Sequence, residues 1–189
     1  MNKQTTNSSL RFFLLAGLII VAAITRILPH PPNVTPIGGM ALFGAAYLGR
    51  KYLALLLPLL ALWLSGLFLD NVVYSAYYDG FTWFSQPAVF IAFLLIVGLG
   101  WLALKKVSPM RLFGASLSAS VIFFLVTNFG VWLQGGLYPP TFSGLMACYG
   151  AGLPFLRNTV LGDMFFVGAL FGTFEWLQYR FPALRTQRA

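Results

Sequence analysis

Residues 29–50 read PHPPNVTPIGGMALFGAAYLGR, and this stretch decides how the rest of the chain is arranged. Four of its first eight residues are prolines. Each proline lacks an N–H and restricts the residue before it, so residues 29–36 form a rigid turn rather than a helix. The apolar run that follows, Ile37 to Leu48, would reach only about 18 Å as a helix, too short to cross a bilayer upright. We therefore predict a short second helix, packed closely through Ala41 and Ala45.

The composition around this stretch is that of an integral membrane protein. Of 189 residues, 59% are apolar and only 8% are charged, and the mean hydropathy is +0.81. Soluble domains carry about a quarter charged residues, so this composition excludes an ordinary soluble enzyme, a disordered chain and a coiled coil. The apolar residues occupy consecutive rather than alternate positions, which argues against a barrel. We expect an all-α integral membrane protein with a single transmembrane domain over residues 1–189.

Six hydrophobic runs predict six transmembrane helices, of which the second is short. In chain order they are Phe12–Leu28, Ile37–Leu48, Tyr52–Leu69 with a kink at Pro58, Pro87–Leu104, Leu112–Leu133 and Leu153–Gln178. The first run could be read as a signal peptide, but its continuation through Leu28 favours a helix. Before the sixth helix, residues 134–152 are rich in Gly and Pro and predict a long loop, of a kind that is often functional.

The basic residues predict the orientation. If the N-terminus is cytoplasmic and there are six crossings, ten of the twelve Lys and Arg residues fall on the inner side, which leaves Arg26 and Arg157. This asymmetry predicts that both termini are cytoplasmic, with tails at residues 1–10 and 179–189. Charges placed singly or in pairs between hydrophobic runs do not indicate nucleic-acid binding, in spite of the net charge of +8. The outer segments carry acidic and aromatic residues that form either an interfacial belt or a stacking surface: Asp70, Tyr74, Tyr77, Tyr78, Asp79, Trp83, Tyr138 and Tyr149.

Polar groups inside the predicted helices are the first functional candidates, because a membrane tolerates them only when they are paired or line a wet cavity. We expect Asp163 to pair with Arg26 across helices, either as a structural ion pair or as one that also contacts a ligand. On the fifth helix a polar stripe either lines a cavity or forms interhelical hydrogen bonds; its members are Ser116, Ser120, Thr127 and Gln134.

Three segments resemble an uncharacterised family of small bacterial membrane proteins described as transport proteins. They are residues 26–49, residues 127–132 (TNFGVW) and residues 144–163 (GLMACYGAGLPFLRNTVLGD). That family is in turn similar to the substrate-binding S-components of energy-coupling-factor vitamin transporters, in size, in helix number and in the short second helix after a proline turn. The resemblance implies a multi-pass protein of the bacterial inner membrane, with a binding site open to the outer face.

The same resemblance implies uptake of a vitamin-like solute, driven by a separate membrane subunit and its ATPases. S-components dock that subunit through an Ala-x-x-x-Ala pattern on helix one. Here helix one carries Ala16, Gly17, Ala22 and Ala23 without that spacing, so operation without the subunit remains open. The sequence contains no phosphate-binding loop motif, which agrees with an energy source outside this chain.

The leading hypothesis is a solute-uptake protein that binds a small molecule between helices one, five and six, under residues 134–152. Two arginines meet an anionic group, two asparagines donate hydrogen bonds, three aromatic residues stack, Asp163 orients the arginines, and the proline turn contributes a histidine and an asparagine. These candidates are Arg26, His30, Asn33, Asn128, Trp132, Tyr138, Tyr149, Arg157, Asn158 and Asp163. The partners are then a small solute, the lipid bilayer and an energising subunit.

Two other hypotheses stay open. One is a non-catalytic accessory subunit of a larger membrane complex, whose polar stripe faces a protein partner. The other, ranked lower, is an intramembrane enzyme that uses Cys148 or His30 with Asp163. A single cysteine and a single histidine cannot supply the four ligands of a structural zinc site, and we expect no metal, cofactor or catalytic residue.

Overall fold

A computed structural model describes residues 3–185 of the chain, with side-chain surroundings from Ser9 onward. Within those residues the secondary structure is helical, with no β-strand, and turns and irregular connections join the helices. A π-helical turn over Leu69–Val73 and two 3₁₀ turns, Ser75–Tyr77 and Pro182–Leu184, accompany the α-helices. The six α-helices are α1 (Lys3–Thr25), α2 (Ile37–Tyr47), α3 (Lys51–Phe68), α4 (Pro87–Ala103), α5 (Pro109–Gln134) and α6 (Phe142–Arg180).

In the part of the chain that the structure describes, three helices are long and apolar enough to cross a membrane: α3 together with its π turn (23 residues), α5 (26 residues) and α6 (39 residues). Three shorter apolar helices, over Ser9–Thr25, Ile37–Tyr47 and Pro87–Ala103, pack with them. Because a bilayer requires about 20 apolar residues per crossing, this set of helices fits the membrane protein that the composition predicts.

The short helix α2 forms the centre of the bundle and packs against all five of the other α-helices. Every residue from Ile37 to Gly44 is buried, as expected for a helix that is apolar on all sides. Small residues permit this. Ala45 lies where a Cβ on Gly100 of α4 would be, and Pro58 of α3 packs on Gly44 so closely that a Cβ there would approach it to 2.8 Å.

At the end of the bundle opposite to the proline turn, polar contacts join α1, α2 and α6. Arg11 donates to Gln178 at 3.2 Å and to the carbonyl of Leu184 at 2.7 Å. Its guanidinium lies 5.1 Å from the ring centre of Phe174, and the Tyr47 hydroxyl donates to Glu175. Arg11 of α1 therefore holds the C-terminal 3₁₀ turn against the bundle.

Several predicted boundaries are wrong. The first helix begins at Lys3 and ends at Thr25 rather than running from Phe12 to Leu28, so most of the predicted tail over residues 1–10 is helical. The parts of the tails at residues 1–2 and 186–189 lie outside the described residues. The third helix begins at Lys51 and continues through a π turn, and the fifth begins at Pro109, where Ser108 caps it.

The largest correction concerns residues 134–152, where a long loop is predicted. The α6 helix begins at Phe142, and Thr141 caps it by accepting a hydrogen bond from the Gly144 N–H at 3.1 Å. The helix continues past Pro154. Glycines here permit close packing instead of breaking the helix: a Cβ on Gly152 would approach the Phe124 ring of α5 to 2.9 Å.

Candidate functional site

A cavity of about 390 Å³ lies between the proline turn, α3, the α3–α4 connection and the first turn of α4. Its volume falls within the range of small-molecule sites, roughly 300 to 1,000 Å³. The charged and polar groups that line it are Arg26, His30, Asn33, Thr35, Asp70, Tyr74, Tyr78, Ser85 and Gln86. The apolar and aromatic wall includes Ile37, Leu62, Trp63, Trp83, Phe84, Val89, Phe90 and Phe123.

Arg26, in the turn after α1, supplies the positive charge of this cavity. Its Nη1 donates to the carbonyl of Leu62 at 3.0 Å and to the hydroxyl of Ser65 at 2.5 Å. Its Nε is enclosed and has no hydrogen-bond partner, and no hydrogen bond among the described residues uses Nη2. The guanidinium is therefore fixed to α3 through Nη1. Because Nε is enclosed by the protein, Nη2 is the nitrogen that remains for a further partner.

Asp70 supplies a negative charge to the same cavity. It lies in the π turn that continues α3, and its Oδ2 accepts a hydrogen bond from Ser85 at 2.7 Å. That bond ties the end of α3 to the residues just before α4. A π turn shifts the side chains that follow it around the helix axis, and such turns are frequent at functional sites.

The α3–α4 connection folds back over α3 and forms an aromatic wall. Asn71 holds it, since its side-chain nitrogen donates to the Thr82 carbonyl at 2.9 Å and its oxygen accepts from the Thr82 N–H at 2.7 Å. The Trp63 ring is stacked near Trp83, with 6.5 Å between ring centres, and near Phe84, with 6.0 Å. These rings give the cavity one broad apolar surface.

The proline turn contributes His30 and Asn33. A ring nitrogen of His30 lies 2.6 Å from the Leu28 carbonyl, which fixes the ring to its own turn. Asn33 has a φ of +64°, in the left-handed region that asparagine tolerates better than most residues. Both residues line the cavity, as does Arg26, so the structure brings three of the predicted site residues together.

The other predicted residues lie elsewhere, mostly along the seam between α5 and α6, and none of them lines this cavity. The Tyr149 hydroxyl donates to the Leu125 carbonyl at 2.9 Å, and Trp132 donates to the Pro139 carbonyl at 3.0 Å. The Asn128 side chain donates to Phe124, and Asn158 donates to Pro32 at 3.0 Å. Arg157 is exposed, and Tyr138 is partly buried between α5 and α6.

Asp163 is buried, but its partner is not the predicted one. It accepts a hydrogen bond from Ser120 of α5 at 2.6 Å, whereas Arg26 is bonded to α3. The carboxyl group also lies directly against Gly38 and interacts with its N–H. The first N–H groups of a helix have no partner within that helix, and Pro36 provides no side-chain cap for α2. Asp163 therefore acts as a cap that α6 supplies to α2.

Two members of the predicted polar stripe on α5, Ser120 and Thr127, form hydrogen bonds within the bundle. Ser120 also donates to the Ser116 carbonyl, and Thr127 donates to the Phe123 carbonyl at 2.7 Å. The buried Ser116 hydroxyl has no partner. The Cys148 thiol donates to the Asn128 carbonyl at 3.3 Å, so the described residues do not show it bonded to His30 or Asp163, the groups of the enzyme hypothesis.

The sequence pattern does not assign several cavity residues to a binding site. It predicts an interfacial belt or a stacking surface for Asp70, Tyr74, Tyr78 and Trp83. It predicts no role for Trp63, Ser85 and Gln86. The usable signal was the position of Asp70 at the end of a hydrophobic run, directly before an aromatic-rich connection. The fold of that connection over α3 depends on Asn71, which the residue pattern does not reveal.

Comparison with known proteins gives a family but no named activity. No curated protein and no solved structure matches the chain. A family model described as "Family of unknown function (DUF6580)" matches residues 6–184. That match includes all six α-helices except the first three residues of α1, together with the whole cavity. The chain therefore belongs to this family of unknown function.

Proposed function

We propose that the chain binds a small organic solute in the cavity below the proline turn and takes part in its uptake across a membrane. The observation that carries the proposal is Arg26, which lines a cavity of about 390 Å³ and uses one of its three guanidinium nitrogens. A charged group within a membrane protein is costly and usually serves a ligand or a pathway. An anionic group on a solute would pair with the positive charge of the guanidinium.

The proposed topology has six crossings with both termini in the cytoplasm, and it places the cavity at the outer face. Arg11 and Gln178 mark one end of the bundle. Basic pairs lie at residues 50–51, where the α2–α3 connection meets the start of α3, and at residues 105–106, in the α4–α5 connection. Both connections meet that same end if successive helices alternate in direction. The cavity lies at the other end, near the end of α3 and the start of α4. Basic residues gather on the cytoplasmic side, which supports this orientation.

The resemblance to S-components supports a role in uptake across the bacterial inner membrane with an external energy source. Solute capture by this chain would then be followed by transport that a separate membrane subunit and its ATPases drive. An accessory subunit remains the alternative, and it predicts a protein partner instead of a solute.

Native mass spectrometry of the detergent-purified protein tests the proposal. We expect a small molecule that co-purifies with the native chain and is lost from an Arg26→Gln variant. Arg111→Gln provides a matched control, because Arg111 is exposed in the first turn of α5 and does not line the cavity. An empty native protein that carries a stoichiometric membrane partner unrelated to an ATPase module would replace the proposal with the accessory role.

A further inference from the structure

The cavity is lined by two opposite charges that interact at a distance but form no ion pair among the described residues. Arg26 and Asp70 both line it, yet each hydrogen-bonds elsewhere: Arg26 to Leu62 and Ser65 of α3, and Asp70 to Ser85. No bond between the two charges occurs in the described residues. Opposite charges attract more strongly in surroundings of low polarity than in water, and Asp70 is a coulombic partner of Arg26. The hydrogen bonds that each side chain makes to other groups accompany the absence of a direct ion pair in the described residues.

A ligand with a single charge fits this arrangement poorly. An anion that paired with Arg26 would leave Asp70 without a charged partner and would be repelled by it. A cation would have the converse problem with Arg26. Removing a charge from water without a compensating partner is unfavourable. A ligand with both charges compensates both side chains, and its own net charge is zero.

The remaining wall defines the rest of the ligand. The wall also includes side chains that present mainly apolar surface: Leu62, Trp63, Trp83, Val89 and Phe123. A ring or branched chain can pack there, since aromatic side chains offer large contact area at low entropic cost. The volume of about 390 Å³ admits a body the size of a single substituted ring.

We propose that the solute is a zwitterion, with a carboxylate that binds Arg26, an ammonium group that binds Asp70, and an apolar body against the Trp63–Trp83 wall. This inference rests on the proposed function, because it names the chemical class of the solute. Arg26 and Asp70 are the residues that determine specificity for the two charges. Trp63 and Trp83 recognise shape and not charge.

Two sets of three compounds test the inference by isothermal titration calorimetry on the purified full-length protein. One set is phenylalanine, phenethylamine and 3-phenylpropionate; the other is 4-(aminomethyl)benzoate, benzylamine and benzoate. The sets differ in the distance between the charges, which covers both a short and a long bridge from Arg26 to Asp70. In at least one set we expect the zwitterion to bind about tenfold or more tightly than either singly charged analogue.

Variants assign each half of that preference. Asp70→Asn should abolish the advantage of the zwitterion over the acid and should strengthen binding of the acid, because the repulsion is gone. Arg26→Gln should abolish the advantage over the amine. Asp79→Asn is the matched control: Asp79 lies in the same connection, is exposed and does not line the cavity, so the native order of affinities should persist.

The outcomes separate the two proposals. Acids that bind as tightly as the zwitterions in both sets, with no change on Asp70→Asn, would overturn the zwitterion and leave the solute-binding role intact. If none of the six compounds binds, the co-purified molecule decides: a zwitterion supports the inference, and a singly charged or uncharged molecule overturns it. A native protein that neither binds nor carries any small molecule would overturn both proposals.

Discussion

The two charges that sequence reasoning pairs within the membrane, Arg26 and Asp163, lie in regions of opposite character. Asp163 is enclosed between α2, α5 and α6, where Ser120 and Gly38 meet its carboxyl group. Arg26 borders a cavity, is bonded through one nitrogen and keeps an Nε without a partner. The partners of the Asp163 carboxyl group all lie inside the bundle, which indicates a role in the fold. Arg26 lines a cavity and its Nη2 makes no hydrogen bond among the described residues, which indicates that it can bind a ligand. The following predictions test this difference.

Removal of the Asp163 carboxyl group should produce the largest loss of stability. In Asp163→Ala the Ser120 hydroxyl and the N-terminus of α2 lose a buried acceptor, so we expect the free energy of unfolding to fall by about 3 kcal/mol. Asp163→Asn keeps the shape and one acceptor oxygen and should cost about 1 kcal/mol. Thermal unfolding in detergent measures both. Loss of the co-purified solute from a well-folded Asp163→Asn protein would contradict the division, because it would place Asp163 in the binding site.

Filling the contact between Gly38 and Asp163 should have a smaller effect in the same region. A Cβ at Gly38 would overlap the Asp163 carboxyl group, so Gly38→Ala should lower the free energy of unfolding by about 2 kcal/mol through overpacking. Gly98 of α4 is the control, since nothing lies within 4 Å of a Cβ built there. Gly98→Ala should be neutral or stabilising by up to about 1 kcal/mol. Equal effects at the two sites would show that α2 does not depend on this contact.

The parts of the fold that composition and proline content determine are predictable from the sequence. The second helix is predicted over Ile37–Leu48 and observed over Ile37–Tyr47, because prolines end at residue 36 and an apolar run begins there. The start of α6 is not predictable in the same way. Gly152 looks like a loop residue, but Phe124 and Asn128 of α5 approach it too closely for a Cβ. A contact between residues this far apart in the chain is not visible in a local sequence pattern.

The candidate site is predictable only where the relevant residues are next to one another in the chain. Arg26, His30 and Asn33 belong to a single turn, so a local pattern is sufficient. Asp70 and Trp83 join them because Asn71 folds the α3–α4 connection back over α3. The predicted pairing of Arg26 with Asp163 depends on charge and depth alone. The partners that each residue has in the structure are uncharged backbone and hydroxyl groups, so a search of the sequence for opposite charges does not find them.

The comparison is sharpened by replacing one arginine that lines the cavity and one that does not. Arg26→Gln should weaken retention of the co-purified solute about tenfold or more, equivalent to about 1.4 kcal/mol, because the positive charge that binds the anionic group is gone. Arg157→Gln should leave retention unchanged, since Arg157 is exposed on α6 and does not line the cavity. Solute occupancy by native mass spectrometry gives both values. Equal losses for the two variants would favour the arrangement between helices one, five and six.

The smallest expected effects come from two serines one helical turn apart on α5, and they test the same rule within the buried region. Ser120 donates to Asp163 at 2.6 Å, so Ser120→Ala should lower the free energy of unfolding by about 1 kcal/mol. Ser116 is equally buried, but its hydroxyl has no partner, and Ser116→Ala removes an unsatisfied group at the loss of very little volume. Its stability should stay within about 0.5 kcal/mol of the native value or rise slightly. A clear loss of stability in Ser116→Ala would show that this hydroxyl has a partner in the membrane. The stripe at Ser116 would then line a cavity or meet a partner molecule instead of serving only helix packing.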